Sequence, residues 1–267
     1  MKIILSRKGF DSTAGGIINP IMPDGTLLSL PITSADTDTY ESLIYKGVKY
    51  SKLLNDLGYK GEETCHLDPD IRENVRKVEI ANWQPAFGQI GTAQRYLENS
   101  GVTVGDLFLF FGCFRRIDLK AGKYTYVRKN QSNFYLGHPV QIIFGYLEVG
   151  KIIKEPELIQ KYSWHPHSSS GRLDKQTNVL YIPSKQLSFA NHLPGYGVLD
   201  YNKKRILTKE GRTPAKWERK EFLMPNHIRG NRKNSGAADE LYYGGQWQEL
   251  VINESEVASK WAYNIIT

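Results

Sequence analysis

The chain has 267 residues, of which 40% are hydrophobic and 24% charged, and its net charge is +7. This composition excludes a disordered chain, and the length suits one large domain or two small ones with a substantial core. The basic excess favours an anionic partner such as a nucleotide or nucleic acid. No apolar run approaches the roughly 18 residues of a membrane span, so we expect no membrane association.

The first strand is predicted at residues 2–5, and an unusual loop follows it, SRKGFDSTAGG. Glycines after a strand allow backbone N–H groups to approach an anion, and an arginine can bind phosphate through two hydrogen bonds. The loop has neither Walker nor dinucleotide spacing. We therefore predict ligand binding here, with a tight turn carrying surface cations as the alternative. The predicted ligand-binding residues are Ser6, Arg7, Lys8, Gly15 and Gly16, with Asp11 as a catalytic candidate.

Residues 18–32 are predicted to form a hairpin, because Pro23-Asp24-Gly25 separates two apolar runs. A helix is predicted from Tyr50 to Leu57, ending at Gly58.

The segment CHLDPD places His66, Asp68 and Asp70 at alternate positions. In an extended chain these side chains share a face, which suits general acid–base catalysis or a divalent metal. Turn formation or helix capping by Asp68-Pro69-Asp70 is the competing interpretation. We expect His66 and Asp70 as catalytic candidates. We assign no metal ligands and expect no tightly held structural metal, because no second ligand cluster lies nearby along the chain.

The sequence FGQIGTAQ leads into a helix predicted from Thr92 to Asn99, with Thr92 as its N-cap. Glycines just before a helix N-terminus favour binding of an anion or polar ligand. Gln89 and Gln94 carry both donors and acceptors, so they are candidates for reading a base edge. A loop with internally satisfied amides is equally compatible with this sequence.

Two dense apolar runs, at residues 106–111 and 140–149, are predicted to pair as strands at the centre of a sheet. A basic, tyrosine-rich connection separates them and is expected to project from the end of the sheet. Arg115 is assigned to ligand binding and Arg116 to nucleic-acid binding.

The later chain contains two further candidate segments. In WHPHSSSG, His165 and His167 flank a proline and could ligate a metal, donate to phosphate or transfer protons; we assign His165 to catalysis and His167 to ligand binding. In residues 225–238, clustered cations suit contact with a phosphate backbone. These nucleic-acid-binding candidates are Arg229, Arg232 and Lys233. An exposed polar loop is the alternative interpretation of each segment.

Short strands are also predicted at residues 178–182, 205–208 and 244–252, and a terminal helix at residues 256–266. With no clear linker or repeat, residues 1–267 are interpreted as one α+β domain with a mixed or barrel-like sheet and a few flanking helices. The two cysteines lack metal spacing. Together with a short apolar N-terminus, they favour a reduced, cytoplasmic protein.

Several motifs occur together and in order: ILSRKGFDS, MPDGTLLSLP, HLDPD, FGQIGTAQ, GDLFLFFGCFR, IIFGYLEVG, HPH and NVLYI. In these motifs, from residue 3 to about residue 217, the chain resembles the nucleotide modification associated domain family, third type. The resemblance implies a setting of DNA base modification in phage and bacterial systems, without implying a reaction. A weaker resemblance to PUA-like barrels implies nucleic-acid binding around a flipped base.

Three functions remain open at this point. The first is an enzyme acting on nucleotides or on bases in DNA, either a transferase or a hydrolase. The second is a non-catalytic reader of modified nucleic acid, in which Phe10, Tyr124 or Tyr126 would stack a base. The third is an interaction subunit whose basic surface meets an acidic protein. The expected partners are nucleotide or DNA, and proteins of a modification or defence system. The sequence identifies no cofactor.

Overall fold

The computed structural model describes residues 1–10, 15–130, 132–230, 235–245 and 247–267. It has an α+β fold, as predicted, built on a curled mixed sheet that forms a half-barrel. The strands are β1 (Ile3–Arg7), β2 (Asn19–Ile21), β3 (Ile32–Thr39), β4 (Ile44–Tyr45), β5 (Val48–Lys49), β6 (Thr64–His66), β7 (Phe87–Gln89), β8 (Leu107–Lys120), β9 (Lys123–Tyr126), β10 (Val140–Ile153), β11 (Val179–Pro183), β12 (Gln186–Leu187), β13 (Ala190–Pro194), β14 (Tyr196–Val198), β15 (Lys216–Glu218), β16 (Glu240–Tyr242) and β17 (Glu249–Ile252).

Five α-helices flank the sheet within the described ranges. They are α1 (Tyr50–Asp56), α2 (Gly91–Asn99), α3 (Pro156–Ile159), α4 (Ser170–Leu173) and α5 (Glu256–Ile266), and 3-10 turns lie at Pro166–Ser168, Lys203–Arg205 and Glu221–Leu223. None of the helices in the part of the chain that is described has the length and apolar character needed to cross a membrane.

The predicted central pair of strands is confirmed. β8 and β10 pair antiparallel, with Val140 opposite Phe114 and Glu148 opposite Leu107. The main sheet runs in the order β17-β1-β8-β10-β11-β7, and β1 and β2 both pair parallel to β8. β8 is longer than predicted, because it continues through the basic segment and folds back on β9 as a hairpin.

Both faces of β8 are buried over residues 107–114, which explains why this part of the strand is apolar without alternation. Leu107, Leu109 and Phe111 pack into one core cluster, while Phe108 and Phe110 pack into another on the opposite face. Successive side chains of a strand point to opposite sides of the sheet. The strand therefore separates two hydrophobic layers, and it fixes the positions of the strand ends beside it.

The helices predicted at residues 50–57, 92–99 and 256–266 are confirmed, but some local predictions are wrong. α2 begins at Gly91 after Ile90, and no side chain caps it, so Thr92 is not its N-cap. The predicted hairpin around Pro23-Asp24-Gly25, by contrast, does form: Met22 N–H donates to Thr26, Ile21 is bridged antiparallel to Leu27, and β2 pairs in addition with β8. Residues 203–205 form a 3-10 turn where a strand was predicted to begin.

Candidate functional site

A cavity of about 320 Å³ lies where β1, β6 and β7 end near one another. β1 contributes Arg7, with Lys8 directly after it, β7 contributes Gly88 and Gln89, and the segment after α3 contributes His167. Its volume is at the lower end of the range for sites that bind small molecules. The loop ends around it carry the polar side chains, while the buried strands hold their backbones in place.

Three side chains on the cavity wall form a compact cluster: His66, Asp68 and His167. One ligand atom from each lies within 4.8 Å of those from the other two. His66 Nε2 is 3.9 Å from Asp68 Oδ2, and the two histidine rings are 5.4 Å apart between centroids. We call these three residues the His/Asp triad. Two imidazoles and one carboxylate are a common donor set for divalent transition metals.

Asp36 in β3 determines the tautomer of His66. Asp36 Oδ2 lies 2.8 Å from His66 Nδ1. Burial alone would raise the pKa of Asp36, but hydrogen bonds from His66 and from Arg172 lower it below its ordinary value. The ionised carboxylate can only accept, so Nδ1 carries a proton, and in the tautomer that this hydrogen bond selects Nε2 keeps its lone pair. This is the arrangement in which metal-binding histidines are held.

Asn178 sets the same tautomer at His167. Its Nδ2 donates to the main-chain carbonyl oxygen of His167 at 3.0 Å, which identifies the other end of the amide as oxygen. That oxygen, Oδ1, is 2.6 Å from His167 Nδ1 and must accept from it. Nε2 of His167 therefore also keeps its lone pair. Burial lowers the pKa of His167 to about 3, so the ring is neutral at physiological pH.

Asp68 is held from two sides. Its side chain is only 4% exposed, and Oδ1 accepts from Gly88 N–H at 2.7 Å. His165 Nε2 lies 3.2 Å from the same oxygen, although not aligned for a full hydrogen bond. Burial would raise the pKa of Asp68, but the three neighbouring histidines lower it, with His165 the largest of these. A fixed, ionised carboxylate results, with Oδ2 directed towards His66.

Gly88 is the residue that allows the triad to close. A Cβ added at Gly88 would lie 2.2 Å from Cδ2 and 2.5 Å from Nε2 of His167. The imidazole therefore packs directly on the backbone of β7, where any side chain would displace it. Because the N–H of Gly88 also binds Asp68, one backbone unit positions two of the three triad members.

A second polar cluster borders the cavity. Glu249 in β17 is fully buried, and its Oε1 accepts from Ser6 Oγ at 2.9 Å, Gln89 Nε2 at 2.7 Å and Lys8 Nζ at 3.3 Å. Lys8 Nζ also lies 4.4 Å from the centre of the Phe87 ring. Burial raises the pKa of Glu249, because the charged carboxylate is removed from water.

Most of the site residues predicted at the end of β1, in the two histidine segments and at the start of FGQIGTAQ lie around this cavity. Arg7, Lys8, His66, Gln89 and His167 line the cavity, while Ser6 and His165 lie directly behind its wall.

Asp70 does not join His66 and Asp68, so the predicted shared face is wrong at this position. β6 ends at His66, and Asp70 instead forms an isolated bridge with Ala86. Its carboxylate accepts from Arg76 at 2.8 Å and from Trp83 at 3.1 Å, away from the triad. The alternative of a helix cap is also wrong, because the described residues that directly follow Asp70 form no helix, and the next helix begins only at Gly91.

Other predicted residues lie elsewhere. Gln94 is buried and accepts from the hydroxyl of Tyr181, so it does not face a ligand. Gly15 and Gly16 line a neighbouring cavity with Tyr59. The candidates Asp11, Arg232 and Lys233 lie outside the described residues.

The predicted cationic residues of β8 are turned to aromatic partners. Arg115 donates to Val127 O at 2.8 Å and lies over Tyr126, and Arg116 lies 4.2 Å from the centre of the Tyr201 ring. Arg229 is exposed, and its backbone N–H donates to Val251. None of these three lines the cavity that holds the triad.

Four residues that organise the site were not predicted from the sequence, namely Asp36, Gly88, Asn178 and Glu249, and Asp68 was predicted only as part of the face that it shares with His66. A His-x-Asp spacing at residues 66–68 was visible, and it indicates two ligands on one face of a strand. No metal was predicted because the sequence has no second ligand cluster nearby along the chain. The fold supplies it from residues 165–167, about a hundred positions later.

Comparisons with known proteins place the chain in a family without naming a reaction. No curated protein and no solved structure matches it, so the suggested PUA-like core stays a prediction. The family model described as nucleotide modification associated domain 3 matches residues 2–255. Since this match spans nearly the whole chain, the protein belongs to the nucleotide modification associated domain 3 family.

Proposed function

We propose that this protein is a metal-dependent enzyme that modifies nucleotides or bases in nucleic acid, with a divalent metal ion bound by the His/Asp triad. The observation that carries this proposal is the paired orientation of the two imidazoles. Asp36 and Asn178 each accept a hydrogen bond from Nδ1–H of a triad histidine, which leaves both Nε2 lone pairs beside an ionised carboxylate. Second hydrogen bonds of this kind are typical of histidines that bind metals.

The donor set also limits which metals fit. Two imidazole nitrogens and one carboxylate oxygen suit Fe(II), Mn(II) or Zn(II) better than Ca²⁺ or Mg²⁺, which prefer oxygen ligands. Three protein ligands leave coordination positions open for water or substrate, as catalytic sites require. A bound divalent ion would polarise a substrate oxygen or lower the pKa of a bound water. The residues of this chain hold the ligands, exclude bulk water from Asp68, and present the cavity beside them.

The reader hypothesis is weaker because the residues predicted to stack a base are buried or packed against other groups. Phe10 is fully buried and Tyr124 is 8% exposed. The hydroxyl of Tyr126 is engaged with the backbone of Ile18, and its ring lies against Arg115. A base platform needs an exposed aromatic face. A reader also has no need for a buried cluster of imidazoles and carboxylates, whose negative members repel phosphate.

The test begins with metal binding. Chelator-treated protein is titrated with Co(II), Zn(II) and Mn(II), and anaerobically with Fe(II), beside the His167→Ala variant. The matched control is His192→Ala, since His192 is exposed on β13. We expect one equivalent of metal to bind to the wild-type and control proteins and none to His167→Ala. Nucleosides from cellular DNA and the free nucleotide pool are then compared by mass spectrometry in cells expressing each protein.

Two results would contradict the proposal. If no metal binds with a one-to-one stoichiometry, the triad is not a metal centre. If metal binds but no altered nucleoside depends on His167, while nucleic-acid binding persists in His167→Ala, the metal is structural and the reader hypothesis replaces the enzyme.

A further inference from the structure

The buried pair formed by Lys8 and Glu249 has no role in holding the triad, although it borders the same cavity. The Lys8 side chain is only 11% exposed and that of Glu249 is fully buried. Removing two charges from water is costly, and the attraction between them repays the cost only with good geometry. Here the Nζ–Oε1 distance is 3.3 Å, which is longer than an optimal charged hydrogen bond. The pair is therefore poorly explained as a device for stability.

The geometry around Glu249 instead orients Lys8. Ser6 and Gln89 donate to the same oxygen, Oε1, that Lys8 contacts, so the carboxylate is anchored from inside the protein. Its other oxygen, Oε2, has no hydrogen-bond partner among the described residues. The Lys8 ammonium has three donors, and Lys8 itself lines the cavity. Glu249 thus holds a desolvated ammonium at the cavity wall with donors left for a ligand.

The charge of the cavity selects an anion. Arg7, Lys8 and Arg172 line it together with the single carboxylate of the triad. Asp36 and Glu249 lie behind the wall and contact Arg172 and Lys8, respectively. With a divalent ion on the triad, the site carries a positive excess, which attracts and concentrates anionic ligands. A cavity of about 320 Å³ is small, so it suits a ligand of about mononucleotide size.

We infer that Lys8, oriented by Glu249, binds the phosphate of a nucleotide whose reacting part faces the His/Asp triad. This inference rests on the proposed function, because a nucleotide phosphate is the anion that the family's description supports. The same chemistry has two sources, a free nucleotide or one nucleotide unit of a strand extruded into the cavity. Both present a phosphate to Lys8, and they differ in whether the nucleic-acid strand continues beyond that phosphate.

The experiment is calorimetric titration of folded protein, metal-loaded and chelator-treated, with the four deoxynucleoside monophosphates, the matching nucleosides, inorganic phosphate and a short single strand. The variants are Lys8→Met and the charge-retaining Lys8→Arg, and the control is Lys151→Met, since Lys151 is exposed on β10. A lost charged hydrogen bond predicts about 10- to 100-fold weaker nucleotide binding by Lys8→Met. Lys8→Arg should retain much of the affinity, and Lys151→Met should match the wild type.

The outcomes separate this inference from the proposed function. Metal stoichiometry should be unchanged in Lys8→Met, because Lys8 is not a metal ligand. If the wild-type protein binds no metal, that result refutes the proposed function alone. Equal affinity for nucleotide and nucleoside, or no effect of Lys8→Met, would overturn the phosphate assignment. If Lys8→Met does not fold, competition between inorganic phosphate and nucleotide on the wild-type protein decides the same point.

Two further arms identify the source and the class of anion. Tighter binding of the single strand than of the monophosphates, still dependent on Lys8, would assign the site to a nucleotide unit within a strand. The reverse order would assign it to free nucleotides. A small 2-oxo dicarboxylate that binds through Lys8 when nucleotides do not would assign the site to a carboxylate and overturn the inference.

Discussion

Replacing Asn178 by alanine tests whether the hydrogen bond behind His167 prepares that ring to bind metal. The substitution removes the acceptor 2.6 Å from Nδ1 and the donor to the His167 carbonyl. The ring can then rotate or move its proton to Nε2, where it would block metal binding. Loss of such a partner lowers metal affinity about 10- to 100-fold, equivalent to about 1.4–2.7 kcal/mol.

The same substitution should also destabilise the metal-free protein. Asn178 is 1% exposed and His167 is 2% exposed, so water cannot easily replace the lost partners. A buried polar group left without a hydrogen bond costs about 1–3 kcal/mol. The metal-free protein should therefore unfold at lower urea concentration, with a loss in that range. Metal affinity must be measured on the folded fraction, well below the urea concentration at which unfolding begins.

The assay is competition for Co(II) or Zn(II) against a chromophoric chelator, with urea unfolding of metal-free protein measured in parallel. Asn99→Ala is the control, because Asn99 is exposed at the end of α2. An affinity in Asn178→Ala equal to that of the wild type, with His167→Ala inactive in metal binding, would refute the tautomer argument. Equal binding by all three proteins would refute the metal site itself.

Two other substitutions test the packing of the His167 ring and the pH dependence of stability. Gly88→Ala should reduce metal affinity, and it should lower the free energy of unfolding by about 1–3 kcal/mol, because the new Cβ would lie 2.2 Å from the His167 ring. Gly171→Ala is the control. A Cβ at Gly171 would meet no atom within 4 Å, so this substitution should change neither quantity in the same titrations. Glu249→Gln should change the pH dependence of stability measured by urea unfolding of chelator-treated protein. Burial raises the pKa of Glu249 above its ordinary 4.5, despite Lys8 facing it, so the folded wild type binds more protons than the unfolded chain above that pH. Wild-type stability should therefore fall relative to Glu249→Gln as pH rises from about 4.5 through the folded pKa, and a constant difference between the two proteins would contradict the argument.

The central strands and the longer helices were predictable because their signals are local. The runs at residues 106–111 and 140–149 are apolar on both faces, and such runs form buried strands. The helices at residues 50–56 and 256–266 follow from apolar spacing and turn residues. The short strand β7 was not predicted, because Phe87–Gln89 is too brief to show a period and is defined only by its pairing with β11.

The site was predictable in part for the same reason. His66, Lys8 and His167 were selected from unusual local sequence, and all three line the cavity. Asp36 and Glu249 carry no local signal, because each acts on a partner far along the chain. Alternation predicted that Asp70 would accompany Asp68, but β6 ends at residue 66 and the pattern ends with it.

The pairing of β7 with β11 explains why the triad and its supporting residues form together. Asn178 directly precedes β11, and Gly88 lies in β7 opposite Leu180. His167 packs on the backbone of Gly88 and is fixed by Asn178, so two adjacent strands determine the position of one ring. The N–H of Gly88 then fixes Asp68 from the same strand. A metal ion that bridges His167 to Asp68 and His66 would tie this edge of the sheet to β6. Metal binding should therefore slow amide exchange at β7 and β11 more than at the β8–β10 centre, which is already held by two buried layers.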